Sequence, residues 1–183
     1  MQGVLNINKA PPDEGFEFVL AGRSNAGKSS ALNCLAKNKK LARTSKTPGR
    51  TTEINFFRVN DEIKLVDLPG YGFSKISIDK KKSLDTLLDS YFSSRQSLCA
   101  AIIFMDIRHP LKNSDIQMIE FCFKYRVSFI PVLTKSDKLS GSAISQSIKD
   151  VEKKLNYKSV IVTSSKNDEG FDRLSAEILK FVP

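Results

Sequence analysis

No apolar run in this 183-residue sequence is long enough to cross a bilayer. The opening "MQGVLNINKAPPDEG" lacks the basic-then-apolar build of a signal peptide, and the closing "KFVP" carries no prenylation box. Secretion and lipid anchoring thus have no sequence basis, and a cytoplasmic chain without membrane association is expected. Cysteine is scarce: Cys34, Cys99 and Cys122 form an odd, widely spaced set, each in a segment that reads as helix or buried strand. They read as core residues of a reducing cytosol rather than as disulfides or metal ligands. The only histidine, His109, has no local partner motif and reads as a loop residue rather than a general base. Internal repeats and low-complexity tracts are absent.

What is present is an ordinary globular balance, 40% hydrophobic and 27% charged, at a length suited to one domain with a real core. The net charge of +9 favours polyanionic partners. No basic amphipathic anchor helix is seen, so nucleic acid is a better match for that charge than a membrane surface.

Residues 1–15, punctuated by Pro and Gly, read as a loose lead-in to one domain over 16–183. "FEFVLAG" (16–22) is a short apolar strand, followed by Ala31, Leu32 and Leu35 at helical spacing. "KNKKLARTSKTPGRTT" (37–52) is polar, basic and broken by Pro48 and Gly49, which predicts a long mobile loop. "EINFFRV" and "EIKLVD", parted by Asn60-Asp61, predict a strand pair of hairpin type. Leu84, Leu87, Leu88, Tyr91 and Phe92 lie on one face of a helix, with Lys80–Lys82 at its exposed start. "LCAAIIFMD" (98–106) has the continuous apolar character of a parallel strand buried on both faces. A helix near 114–126, the strand "SFIPVLT", a helix marked by Ile144, Ile148, Val151 and Leu155, the strand "SVIVTSS" and a helix marked by Phe171, Leu174 and Ile178 complete the chain. Pro131 cannot donate to a central ladder and is placed near the start of its strand. The alternation predicts an α/β fold: a doubly wound, mostly parallel six-stranded sheet with helices on both faces.

Between the first strand and its helix stands "GRSNAGKS", the G-x-x-x-x-G-K-[ST] loop. Glycines such as Gly22 and Gly27 let the backbone wrap phosphates, and the amides of Arg23, Ser24, Asn25 and Ala26 approach them at the positive end of a helix. Lys28 is expected to reach the β- and γ-phosphates, Ser29 to hold Mg²⁺, and Ser30 to join the nucleotide-binding residues. Asp67, Leu68, Pro69 and Gly70 form a D-x-x-G turn at the end of the third strand. There the carboxylate can hold a water on Mg²⁺ and the Gly70 amide can contact a γ-phosphate. In "TPGRTT", Gly49 and Arg50 precede Thr51 and Thr52, either of which can close on Mg²⁺ by its chemistry. "TKSD", Thr134-Lys135-Ser136-Asp137, suits guanine: Asp137 can accept from N1–H and the exocyclic amine, a donor pair that adenine lacks, while Lys135 can lie over the base. "TSSK" should offer backbone amides, from Ser164, Ser165 and Lys166, to the guanine oxygen.

These four motifs, in this order, resemble translation-factor-type GTPases. The wording "GRSNAGKSSALN", "SKTPGRT", "INFF", "DLPGYGF", "DIRHPLK" and "LTKSDKL" resembles the bacterial EngB family (also called YsxC or YihA) of the TrmE–Era–EngA–EngB–septin group, from about Phe16 onward. The resemblance implies a single Ras-like P-loop GTPase domain that binds GTP and GDP with Mg²⁺, and it selects Thr51 as the second metal ligand beside Ser29. It also implies a slow GTPase switch in assembly of the large ribosomal subunit, with rRNA and ribosomal proteins as partners, needed for normal division and septation. A monomer is expected. Catalysis is then expected from Lys28, Thr51 and Gly70, with Asn25 added if it holds a K⁺ ion, as in some relatives; the other reading of Asn25 is a turn residue.

Tyr71 occupies the place of the water-orienting glutamine in Ras-like enzymes, so hydrolysis should be slow without an ion or partner. Lys37, Lys39, Lys40, Arg43, Lys46 and Arg50 flank one nucleotide-sensing loop and Lys75 and Lys80–Lys82 the other, which suggests a gated RNA-facing surface. Two rivals remain at this point: a GTP-dependent binding module with negligible turnover, and a P-loop ATPase or kinase, against which Asp137 speaks.

Overall fold

The computed structural model describes residues 2–36, 53–69 and 78–183. Strands β1 (Gln2–Val4), β2 (Phe16–Gly22), β3 (Ile54–Arg58), β4 (Ile63–Asp67), β5 (Leu98–Asp106), β6 (Ser128–Thr134) and β7 (Ile161–Val162) form one sheet in the order β1-β3-β4-β2-β5-β6-β7. From β4 onward across the sheet every pairing is parallel, while β3 runs antiparallel to both β4 and β1. Helices α1 (Lys28–Leu35), α2 (Ile78–Ser94), α3 (Asn113–Lys124), α4 (Gly141–Leu155) and α5 (Phe171–Leu179) connect and cover it. Alternate residues of β2 divide the core. Phe18 and Leu20 pack with Leu32 of α1 and Leu174 of α5, while Val19 and Ala21 pack with Tyr91 of α2 and Ile119 of α3. This gives the expected helices on both faces. No described helix is long and apolar enough to cross a membrane.

The described sheet has seven strands, not six, because the lead-in is bound rather than loose. Gln2 pairs with Phe56 and Val4 with Ile54, and Val4 is buried. A three-residue strand among polar residues is too short to show a period of two. Beyond it, Lys64 Nζ donates to the Pro12 and Glu14 carbonyls (3.0 and 2.7 Å), and Arg95 donates to the Pro11 and Pro12 carbonyls (2.9 and 3.2 Å).

That anchoring centres on Glu17, a fully buried charged residue in an otherwise apolar strand. Its carboxylate accepts from Tyr91 Oη at 2.9 Å and pairs with Arg95. Burial, reinforced by the Glu17 charge, pushes the Tyr91 phenol well above its ordinary range. Breaking one partner of such a buried pair costs on the order of 3–5 kcal/mol. The cluster pins the C-terminal end of α2 to the start of β2, opposite the end where the candidate site lies.

Pro131 is the fourth residue of β6, in register with Ile103, rather than near its start. The short β7 pairs only with Val132 and Leu133, so on that side the ladder begins after the proline. The cysteines are free; Cys122 is buried, and burial pushes its thiol up to about 12. Cys34 and Cys99 are half-buried.

Candidate functional site

At the C-terminal end of β2 the neighbouring strands diverge in connection, β4 on one side and β5 on the other. This is the crevice where doubly wound sheets bind ligands. The chain leaves β2 at Gly22, turns with the Ala26 amide donating to the Arg23 carbonyl (3.0 Å), and enters α1 at Lys28. A Cβ on Gly22 would stand 2.9 Å from the Phe104 carbonyl oxygen, so the close approach to β5 requires glycine. Gly27 has φ +91°, a left-handed conformation that favours glycine. Asn25 has φ +63°, which asparagine tolerates better than most residues and which supplies the turn reading with its physical reason. Ser29 and Ser30 lie in the first turn of α1, half-buried.

Lys28 Nζ pairs with the Asp67 carboxylate and donates to the Leu68 carbonyl at 2.9 Å. The phosphate lysine and the D-x-x-G acid, separated by 39 positions, therefore share one polar point. Leu68 is fully buried and its amide donates to the Leu20 carbonyl (3.2 Å), which ties the turn to β2. Pro69 is also buried. Gly49, Arg50, Thr51, Gly70 and Tyr71, and the basic residues from Lys37 to Arg50 with Lys75, lie outside the described residues. Of the α2 lysines, Lys82 is exposed as expected.

The base loop is locked to the phosphate loop by two bonds that the sequence did not show. Thr134 Oγ1, buried, lies 2.6 Å from the Ala26 carbonyl oxygen and 3.2 Å from that of Met105. Lys135, at φ +62°, sends its ammonium to the Asn25 carbonyl (2.5 Å) and to Asp106 Oδ2 (3.0 Å). Thr134→Val removes the first tether at nearly constant volume. Losing a buried bond of ~1–2 kcal/mol should weaken GTP binding roughly tenfold in a fluorescent-nucleotide titration. Unchanged affinity would mean that the loop keeps its shape without Thr134.

Asp137 Oδ1 accepts from Ser164 Oγ at 2.9 Å, and Oδ2 lies 3.2 Å from Lys138 Nζ. The Ser164 hydroxyl, followed by Lys138, holds this carboxyl below its usual range, so it stays an ionised acceptor at neutral pH. Ser136 is buried and its amide donates to the Thr163 carbonyl (3.2 Å), which joins the loop after β6 to the one after β7. One expectation is corrected: the Ser164 amide is not available to a base, because it donates to the Glu169 carbonyl at 3.0 Å in a small antiparallel bridge. The Ser164 side chain bonds Asp137 instead. The exposed turn residues Ser165 and Lys166 are the ones left to offer amides.

Asp106 is the residue that sequence reading missed. It takes a bidentate grip from Arg108 (Nε–Oδ1 2.9 Å, Nη2–Oδ2 2.6 Å) as well as the Lys135 ammonium. The Arg108 bonds, with Lys135, hold its carboxyl far below the ordinary range. The available signal was an acid ending β5 beside the strand that leads into "TKSD".

The described donors suit a hard cation shared with a nucleotide. The Ser29 hydroxyl offers a hard oxygen donor and the Asp67 carboxylate, paired with Lys28, an acceptor for a metal-bound water; among the described residues no three His, Cys, Asp or Glu converge to cage a metal. Mg²⁺ at phosphate sites takes one or two protein oxygens, with water and phosphate completing its shell.

Residues 17–135 match the family described as 50S ribosome-binding GTPase. The chain is 46% identical over 182 residues to the "Probable GTP-binding protein EngB" of Mannheimia succiniciproducens, covering 97% of this chain and 89% of that protein. It is 49% identical over 150 residues to the protein of that name from Stenotrophomonas maltophilia, covering 82% and 75%. A crystal structure of a probable GTP-binding protein engB superposes with TM-score 0.73 at 22% identity, covering 90% of this chain and 97% of that one, a likeness of fold.

Proposed function

From the premise that the chain belongs to the EngB family of P-loop GTP-binding proteins, we propose that it is a slow, Mg²⁺-dependent GTPase switch. It acts in the cytoplasm as a monomer, engages the large ribosomal subunit during assembly, and supports normal division and septation. The observation that carries the switch is the bond of Lys28 to Asp67 and the Leu68 carbonyl. A phosphate that draws the Lys28 ammonium releases Asp67 and Leu68 at the head of the "DLPG" turn. Nucleotide occupancy is thereby felt by the chain leading into α2, whose far end stays pinned at Glu17.

Lys28 neutralises charge that builds on the β–γ bridge, and the Gly70 amide contributes on the γ-phosphate side. Ser29 and Thr51 would hold Mg²⁺, which would supply further neutralisation of the phosphate charge. Asp137 and the Ser165 and Lys166 amides select guanine. Tyr71 cannot orient water as a glutamine amide does, so intrinsic turnover is slow. Asn25 is the residue through which K⁺ would act. Equal turnover in potassium and sodium buffers would leave Asn25 its turn role alone.

Affinity for an RNA-rich particle agrees with the net charge of +9. The test is co-sedimentation with purified large subunits in the presence of a GTP analogue, GDP or no nucleotide, with GTP turnover measured beside it. Retention is expected to depend on the nucleotide, with turnover raised by subunits. Equal retention in all three states would remove the switch. Zero turnover with and without subunits would leave a binding module.

A further inference from the structure

Beside the phosphate loop, at the end of β5, lies a half-open cavity of about 280 Å³ whose wall includes Arg23, Asn25, Arg108, His109, Asp115 and Lys135, together with Asp106. Its two acids are already engaged. Asp115 is buried, and its Oδ2 accepts from the Lys112 amide at 3.0 Å as part of the α3 cap. Asp106 is shared by Arg108 and Lys135. The cations are less fully used. Arg108 grips Asp106 with one edge of its guanidinium, while its side chain stays 42% exposed. A guanidinium has five N–H donors, so its remaining donors can take a second oxyanion without releasing the first. Among the described residues, Arg23 and His109 side chains make no hydrogen bond or ion pair. One guanidinium pre-oriented by a carboxylate, with a second guanidinium and an imidazole around the same opening, suits the oxygens of a phosphate.

We propose that this cavity receives an RNA phosphodiester, with Arg108 as its principal contact, and that Asp106 links its occupancy to the nucleotide site. The inference rests on the ribosome-directed reading above, and the excess of +9 favours a polyanion over a single free phosphate. The link follows from shared bonds. Any shift of Arg108 toward a phosphate alters the hold of Asp106 on Lys135, whose ammonium also meets the Asn25 carbonyl of the phosphate loop. Such coupling is reciprocal: RNA alters nucleotide release, and nucleotide alters RNA affinity by the same factor.

The experiment measures retention of purified large subunits and of a short mixed-sequence RNA across a salt series, and release of a fluorescent GDP with and without that RNA. Arg108→Ala should lower the salt slope by about one and abolish the RNA effect on release. Arg108→Lys keeps the charge but loses the bidentate grip, so it should keep the slope and lose the effect on release. Inorganic phosphate at matched ionic strength is the free-anion arm. If phosphate reproduces the full effect on release while RNA retention ignores Arg108, the RNA assignment is overturned. Wild-type retention shared undiminished by both variants overturns the proposal alone. Wild-type chain that retains neither subunit nor RNA overturns the ribosome-directed reading with it.

Discussion

Asp137→Asn is expected to exchange the preferred base from guanine to xanthine. The carboxylate can accept from both N1–H and the exocyclic amine of guanine; an asparagine amide turns one acceptor into a donor that faces that amine. Losing one charge-assisted bond of ~1.5–3 kcal/mol and leaving two donors face to face, at a further ~1–3 kcal/mol, lowers GTP affinity by roughly 10²–10⁴-fold. Xanthine carries a carbonyl in place of the amine and accepts from the new donor, so xanthosine triphosphate should gain what GTP loses. The structure protects this test from trivial failure. Ser164 Oγ donates to Asp137 Oδ1, and an asparagine Oδ1 can accept the same bond, so the loop keeps its shape. Competition titrations with both triphosphates read the exchange. Unchanged GTP affinity would remove Asp137 from base recognition and return the ATPase reading to consideration.

The parts of this site legible in the sequence are those written in contiguous residues. The phosphate loop, "DLPG" and "TKSD" each encode a local backbone shape at a strand end, and hydrophobic periodicity located the helices that carry them. What stayed hidden are side-chain bonds between residues far apart in the chain. Thr134 reaches Ala26 across 108 positions, Lys135 reaches Asn25 across 110, and Arg95 reaches Glu17 across 78. Glu17 is the one charged residue of an apolar strand, and it is buried because Tyr91 and Arg95 supply its partners from α2 and the residue beyond it. No local pattern announces such a partner. The lead-in escaped for a related reason: β1 is held at the edge of β3 with only Val4 in the core, and the residues after it are held by lysine and arginine donors on other elements.

Lys28→Met is expected to give the second large loss, and it separates two roles of one ammonium. If Lys28 opposes the β- and γ-phosphates as proposed, truncating one partner of such a buried hydrogen-bonded charge pair costs ~2–5 kcal/mol, or roughly 30- to 4,000-fold in affinity. Within the chain, it neutralises Asp67; the two side chains are only 10% and 13% exposed. Methionine keeps the aliphatic stem but leaves the carboxylate facing a nearly dry site. The free chain should lose ~1–3 kcal/mol of stability, read as a fall of a few degrees in thermal midpoint. Adding Asp67→Asn removes the stranded charge. The double variant should therefore recover most of the midpoint while nucleotide binding stays lost. If the midpoint does not recover, the stability loss comes from packing rather than the charge pair. If Lys28→Met binds GTP at wild-type affinity, Lys28 does not touch the phosphates, and the exchange of Asp67 for phosphate cannot be the trigger of the switch.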